Sequence, residues 1–399
     1  MSELIAIKGG SPVRETPLGY GKQYIDDADI EAVVKVLKSD FLTCGPSIGS
    51  LERKLCEVTG AKYAVAVSNG TAALHIACMA AGVGPGDEVI TTPITFAASA
   101  NCALYCGAKP VFADINPETY NISPASIREK ITPATKAVVA VDFTGQAVEL
   151  DEIREICKEN NLILIEDAAH SLGTLYNGKP VGSIADMTTF SFHPVKTVTG
   201  GEGGAVTTND EETYRKLLRL RAHGVTRVQE EMKNTSHGGW YYEQTELGYN
   251  YRITDFQAAL IESQLGKLPL FQKRRKEIVK TYNEAFKDIP EILIQKEIAE
   301  SDTTRHLYIL RLDLSALNCN RKEFFDAMQA ENIKVQVHYI PVYYHSHYES
   351  LGYEKGLCPH AEKLYDEIMS LPLFYSMTDK DVADVIEATK KLIRYYKKK

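Results

Sequence analysis

The stretch SFHPVKTVTGGEGG, residues 191–204, sets Lys196 between an apolar run, MTTFSF, and a cluster of four glycines. A lysine in this position is either an ordinary solvated cation or a functional amine. Three features favour the second reading. Lys196 follows a strand-like run instead of sitting on a polar helix face. Ser191 and His193 flank it, and a serine hydroxyl can donate to an anion. Gly200, Gly201, Gly203 and Gly204 let backbone approach something bulky. A lysine held in a tight, partly buried pocket has a lowered pKa and can form a Schiff base with an aldehyde. The rest of the chain must then supply a site for an aldehyde cofactor.

On both sides of this stretch, short apolar runs alternate with helical patterns. KYAVAV (62–67) reads as a buried strand followed by the helix TAALHIACMAA. EVITTP leads to FAASANCALYC, KPVFADI to PASIREKI, and KAVVAVDF to ELDEIREICKENN. LILIEDAAH closes the series, and MTTFSF and GAVTTN add two further strands around Lys196. This rhythm predicts an α/β fold built on a large, mostly parallel sheet covered on both faces. Upstream, DDADIEAVVKVLKS predicts a helix capped by Asp26 or Asp27. The charge-rich helical segment from Thr254 to about Phe286 leads into a different rhythm: HLYILRLDL, the helix RKEFFDAMQAENI, then KVQVHYIPVYY and two last helices. The expected division is a large α/β domain with its N-terminal segment over residues 1–266. A smaller α+β domain follows over 267–399.

In open α/β sheets, ligands gather at the carboxyl ends of the strands. After KYAVAV, Ser68-Asn69-Gly70-Thr71 opens a helix, which is either an anion site for a phosphate or simply a capped helix start. After LILIE comes Asp167, a carboxylate that needs a cationic partner, either a protonated ring nitrogen or a structural salt bridge. Phe96 can stack on a flat cofactor or belong to the core. His170 can cover a ring or be a satisfied interior histidine. Together these groups supply a phosphate cradle, a partner for a pyridinium, an aromatic platform and an amine for an aldehyde, which describes a pyridoxal 5′-phosphate (PLP) site.

Composition narrows the alternatives. The chain has 399 residues, 44% hydrophobic and 25% charged, enough for a large core and two domains. A net charge of -8 argues against a partner held through nucleic-acid phosphates. The eight scattered cysteines, with no C-x-x-C pair, suit reduced thiols in a cytoplasmic protein. The opening MSELIAIKGG lacks the apolar core of a signal peptide. No run of about 18 apolar residues is long enough to span a bilayer. The basic end KKLIRYYKKK reads as the solvated tip of a last helix. Cys358, His360, His345 and His347 fit no standard zinc spacing, so no metal is expected.

SNGTAAL (68–74), EDAAHSLG (166–173), FSFHPVKTVTGGEGGAVTTND (190–210) and GYNYRITDFQAAL (248–260) closely resemble the sugar aminotransferases of the DegT/DnrJ/EryC1/StrS family, and the likeness runs nearly the whole chain. The resemblance implies the fold type I architecture of the aspartate aminotransferases and a homodimer with shared active sites. It implies that Lys196 is the lysine that holds the cofactor's aldehyde and that Asp167 partners the pyridine nitrogen. Gly70, Thr71 and Ser191 would hold the phosphate, with Asn250 reaching it from the neighbouring chain, and Phe96 and His170 would flank the ring. A branch of the family replaces the lysine with histidine and dehydrates its substrate; the lysine here favours transamination. FSFHPVK, RHLYIL and VQVHYIPVYY are similar to the pseudaminic acid branch, which aminates C4 of a UDP-4-keto-6-deoxy-HexNAc. On that reading L-glutamate is the amino donor, and His338 and Tyr339 line the sugar-nucleotide side. WYYEQTELGYNYR is similar also to the spore-coat polysaccharide and aminoarabinose branches, and AIKGGSPVRETP to the cyclitol branch. A PLP-dependent dehydratase and a PLP-binding sensor without turnover remain as alternatives.

Overall fold

The structure is a computed structural model that describes residues 4–398. Residues 1–3 of the opening stretch and the last lysine of the basic end lie outside the described residues. The central sheet has seven strands: β1 (Tyr63–Val67), β2 (Glu88–Thr91), β3 (Lys109–Phe112), β4 (Thr135–Val141), β5 (Ile163–Asp167), β6 (Met187–Ser191) and β7 (Gly204–Thr208). Their spatial order is β1-β7-β6-β5-β4-β2-β3. Only β7 runs antiparallel to its neighbours; the β6–β5, β5–β4, β4–β2 and β2–β3 pairs are all parallel. Alternate residues of each strand feed two separate cores, as a pleat of period two requires. On β4, Val138 and Ala140 enter one core while Ala137 and Val139 enter the other. On β5, Leu164 and Ile165 divide in the same way. Burial on both faces is why these strands read as unbroken apolar runs.

The alternation has a consequence at the end of β5. Asp167 lies on the face of Ile165, whose core holds the helices Gly70–Ala80 and Ala98–Tyr105. Glu166 lies on the opposite face. Because the strands are parallel, the ends of β4, β5 and β6 open on one edge of the sheet, where Val141, Asp167 and Thr189–Ser191 line a cavity.

The helix Asp27–Leu37 starts at Asp26, whose carboxylate accepts from the Asp29 amide in a capping box. The helical segment beyond Thr254 is two helices, Asp255–Leu265 and Leu268–Phe286, separated at Gly266–Lys267, with Pro269 in the first turn of the second. A further core contains Ile278, Val279, Tyr282 and Phe286 of that second helix. It also takes Phe324 from the helix Arg321–Ala330 and Leu392 from the helix Asp379–Tyr396. Its small antiparallel sheet pairs Tyr308–Leu312 with Ile292–Leu293 and with Ile368–Leu371. The last of these strands, between the two C-terminal helices, does not stand out in the sequence, because three apolar residues and a serine directly after a helix continue its pattern.

The N-terminal segment packs far from its place in the sequence. Ile5 and Leu18 enter the core of the C-terminal residues. Glu331, fully buried, accepts from the amides of Ala6 and Val13, both at 2.8 Å, and pairs with Lys391 at 3.1 Å. Lys391 is itself 3% exposed and also donates to the Ser11 carbonyl. The expectation that the basic end is a solvated helix tip is therefore corrected at Lys391. The physical reason is that Glu331 supplies the paired charge that burial of an ammonium demands. Among the described residues, no helix is long and apolar enough to cross a membrane, and no group of three or more His, Cys, Asp or Glu is placed to hold a metal ion.

Candidate active site

Lys196 sits in the loop between β6 and β7. The loop folds on itself through the Phe192 amide donating to the Gly203 carbonyl and the Gly200 amide donating to the Phe192 carbonyl, each at 2.9 Å. Its glycines serve the protein's own packing. A Cβ on Gly204 would stand 2.4 Å from the Asn69 carbonyl oxygen, and one on Gly200 or Gly203 would strike the Ile261 side chain. The bulky neighbour expected from the sequence is thus the chain itself. Close approach of β7 to the start of the helix Gly70–Ala80 is what brings that helix beside Lys196.

The Asn69 side chain caps the helix by accepting from Ala72 at 2.8 Å. The amides of Gly70 and Thr71 have no carbonyl one turn back to receive them, and both residues line the cavity. Ser191 completes this corner, with its Cβ only 2.9 Å from where a Cβ on Gly70 would stand. Backbone donors, a hydroxyl and the positive end of a helix dipole converge here and suit a phosphate dianion.

At the other side of the cavity, Asp167 is 4% exposed. One of its oxygens accepts from Ser99 Oγ at 2.6 Å and the other from the Ala169 amide at 3.2 Å. Thr95 Oγ1 lies 2.7 Å from Ser99 Oγ. No cation forms an ion pair with Asp167 among the described residues. Burial pushes its pKa up, against the Ser99 and Ala169 hydrogen bonds and the charge of Lys196. Burial also lowers Lys196 to about 8, opposed by Asp167. His170 faces the same space. Its Nε2 lies 3.2 Å from Tyr339 Oη, its Nδ1 has no partner, and its ring centroid is 4.4 Å from that of His306. Burial, then the Lys196 charge, holds His170 neutral and lowers His338 to about 4. His338 Nδ1 contacts Ser370 Oγ at 2.8 Å.

The cavity measures about 900 Å³. Gly70, Thr71, Phe96, Asp167, His170, Ser191, Lys196, His338 and Tyr339 all line it. Phe96 is 64% exposed and stands at its mouth, 6.5 Å from the Tyr339 ring. Asn250 does not line it. Asn250 is exposed and its backbone bridges Ala222, whereas Tyr249 and Tyr251 on either side do reach the cavity. The sequence reading also missed Ser99, Thr95, Tyr20, His75 and Tyr105, all of which line the cavity. A weak signal existed for one pair: Thr95 and Ser99 are hydroxyls four residues apart at the start of an otherwise apolar helical run. Tyr20 carried no signal, since only the return of the N-terminal segment brings it to 5.4 Å from His338.

The lowered pKa of Lys196 gives a direct expectation. With apoenzyme, PLP fixed onto Lys196 by borohydride should form roughly tenfold faster at pH 9 than at pH 7, because the neutral amine fraction rises by that factor around a pKa of about 8. The check is the initial rate of the Lys196 peptide's mass increase. A tenfold rise that begins only above pH 9.5 would mean an ordinary solvated lysine.

A seven-stranded α/β sheet with an amine, a buried carboxylate and free helix amides at one edge fits a PLP-dependent aminotransferase of fold type I, the class of the solved structures it resembles. Residues 23–390 match the DegT/DnrJ/EryC1/StrS aminotransferase family, and the chain belongs to it. The spore coat polysaccharide biosynthesis protein SpsC of Bacillus subtilis is 41% identical over 94% of this chain and 97% of its own. The UDP-4-amino-4,6-dideoxy-N-acetyl-beta-L-altrosamine transaminase of Campylobacter jejuni is 38% identical over 95% and 98%. Among solved structures, Helicobacter pylori PseC, an aminotransferase involved in the biosynthesis of pseudoaminic acid, superposes with a TM-score of 0.88 at 32% identity, covering 96% of this chain and 100% of that one. The sugar aminotransferase Spr1654 of Streptococcus pneumoniae, solved in a PLP form, gives 0.87 at 31% identity over 95% and 99%.

Proposed function

We propose that this aminotransferase moves the amino group of L-glutamate to C4 of a UDP-linked 4-keto-6-deoxy-HexNAc sugar. The observation that carries the chemistry is Asp167, a buried carboxylate with two hydrogen bonds and no cation, in one cavity with Lys196. Bound PLP supplies an electron sink for the carbanion formed at the donor's α-carbon. Asp167 holds positive charge on the ring nitrogen. Gly70, Thr71 and Ser191 would bind the phosphate, and Phe96 and His170 would lie beside the ring. The Lys196 amine, neutral in an appreciable fraction near pH 8, takes the proton from the donor's α-carbon and returns one to the sugar carbon in the second half-reaction. His338 and Tyr339, which stay neutral, line the sugar-nucleotide side.

The substrate assignment rests on the altrosamine transaminase and PseC likeness. It is tested by incubating holoenzyme and glutamate with a panel of nucleotide keto-sugars. The expected outcome is 2-oxoglutarate together with a 4-amino sugar nucleotide, detected by mass spectrometry. Ammonia without an amino sugar would indicate a dehydratase, and no turnover on any keto-sugar would favour a sensor.

The same reading makes each site a product of two chains. Ile30, Val34 and Leu37 leave an apolar row exposed on one helix, and Phe41 and Leu42 extend it. Asn250, outside its own chain's cavity, is then free to complete a partner's phosphate cradle through its amide. Homodimers of Lys196→Ala and of Asn250→Ala should each be impaired. After confirmed subunit exchange, the mixture should recover roughly a quarter of wild-type activity, since half the dimers are mixed and each has one intact site. No recovery despite exchange would rule out action across an interface.

A further inference from the structure

Two buried acids behind the site have no role in the chemistry above. Asp142 and Glu166 are both fully buried, and neither enters an ion pair among the described residues. The strand register puts them side by side. Ala140 pairs with Glu166 and Val141 with Asp167, so Asp142, the next residue, returns to the face of Glu166 and away from Asp167. Asp142 Oδ1 accepts from the Val148 amide at 3.0 Å, and Oδ2 from Ser171 Oγ at 2.5 Å. Glu166 Oε2 accepts from Thr188 Oγ1 at 2.9 Å, while Glu166 Oε1 makes no hydrogen bond among the described residues, although the Gly182 amide faces the carboxyl. The two side chains are nevertheless within hydrogen-bonding reach of each other. Two carboxylates cannot hydrogen-bond without a proton between them, and a buried carboxylate pair without a cation cannot hold two charges. The unpartnered Glu166 oxygen leaves room for that bond, and the pair holds one proton.

We propose that Asp142 and Glu166 share one proton, and that this proton positions the strand ends that carry Asp167 and His170. The connections are short. The Asp142 amide donates to the Asp167 carbonyl at 3.1 Å, and Ser171, bonded to the Asp142 carboxylate, directly follows His170. Glu166 directly precedes Asp167. One hydrogen bond therefore ties β4, β5 and the turn after β5 beneath the cavity, on the face that solvent does not reach.

The electrostatics keep a proton on the pair, with the larger rise on Asp142. Burial, with Asp167 adding like charge, raises Glu166 to about 7, and burial followed by Glu166 raises Asp142 well above the usual carboxylate range. From the packed elements the facing groups are Thr188 on β6, Ser171, and the Val148 and Gly182 amides; Asp167 adds like charge, and neither acid enters an ion pair among the described residues. Because both folded pKa values lie above the unfolded ones, the shared proton's contribution is full at low pH and is lost as pH rises through the raised range of the pair.

Infrared spectroscopy of the holoenzyme tests this without any substrate, so its result is separate from the sugar assignment. With side-chain carboxyl-¹³C aspartate or glutamate incorporated, a protonated-acid carbonyl band should shift with one of the two labels at about pH 6 and weaken as pH rises. The band should be missing in Glu166→Gln, whose amide can donate to Asp142 in its place. That variant should keep turnover within about twofold at pH 7. Its unfolding temperature should be flatter than the wild type's between pH 6 and 9. Glu166→Ala, which cannot donate, should lose cofactor affinity by about tenfold or more. Absence of an acid band that shifts with either label at pH 6 in the wild type would overturn the proposal. So would a band that persists in Glu166→Gln.

Discussion

Lys196→Ala should lower turnover by roughly 10⁴-fold, the upper end of what one positioned acid–base group supplies and about 5.5 kcal/mol of barrier. The expectation follows from placement. Lys196 has its pKa lowered to about 8 by burial, and it shares a cavity with Asp167 and the amide-lined corner at Gly70 and Thr71. Alanine removes both the amine that captures the aldehyde and the base that carries the proton. It leaves the phosphate corner and Asp167 untouched, so PLP should still be retained, now without a covalent bond. Borohydride followed by peptide mapping makes the check. The wild type should carry the reduced cofactor on the peptide containing Lys196, and the variant should carry none while still co-purifying with PLP. Turnover near the wild-type level would sink the assignment of this lysine.

Asp167→Asn comes next in size, with an expected loss of roughly 10²–10³-fold in turnover. An amide cannot balance the charge of a protonated ring nitrogen, so the electron sink weakens. Folding should survive, because the shape is preserved. The surroundings do not accept the amide perfectly, since Ser99 Oγ and the Ala169 amide each donate to one carboxylate oxygen. The Asn NH₂ must face one of these donors. Ser99 can reverse and accept it, as Thr95 Oγ1 stands 2.7 Å away to receive or give a proton in turn. The stability cost is therefore expected at about 1–3 kcal/mol or less, read as a small fall in unfolding temperature. A variant that unfolds at the wild-type temperature and turns over normally would mean that another group partners the nitrogen.

The sequence alone determined the layered α/β core and pointed to Lys196 and Asp167. Both follow from local signals. Strands buried on two faces must be apolar throughout, so β1, β4 and β5 stand out as KYAVAV, KAVVAV and LILIE, and a charged residue closing such a run is conspicuous. The tertiary structure alone decided whatever depends on segments far apart in the chain. Nothing near Lys391 in sequence announces Glu331, sixty residues away, so a buried ion pair read as a solvated helix tip. Nothing near Asp167 announces Ser99, 68 residues earlier. The glycines after Lys196 declared a close approach, but only the packing of β7 against Asn69 and of the loop against Ile261 showed what approaches. The family resemblance assigns Asn250 to a neighbouring chain's site, and the fold of one chain leaves it outside its own cavity. Hydrophobic periodicity is written residue by residue. Hydrogen-bond partners, buried charge compensation and cavity walls are set by which distant segments meet, and a linear pattern does not carry that information.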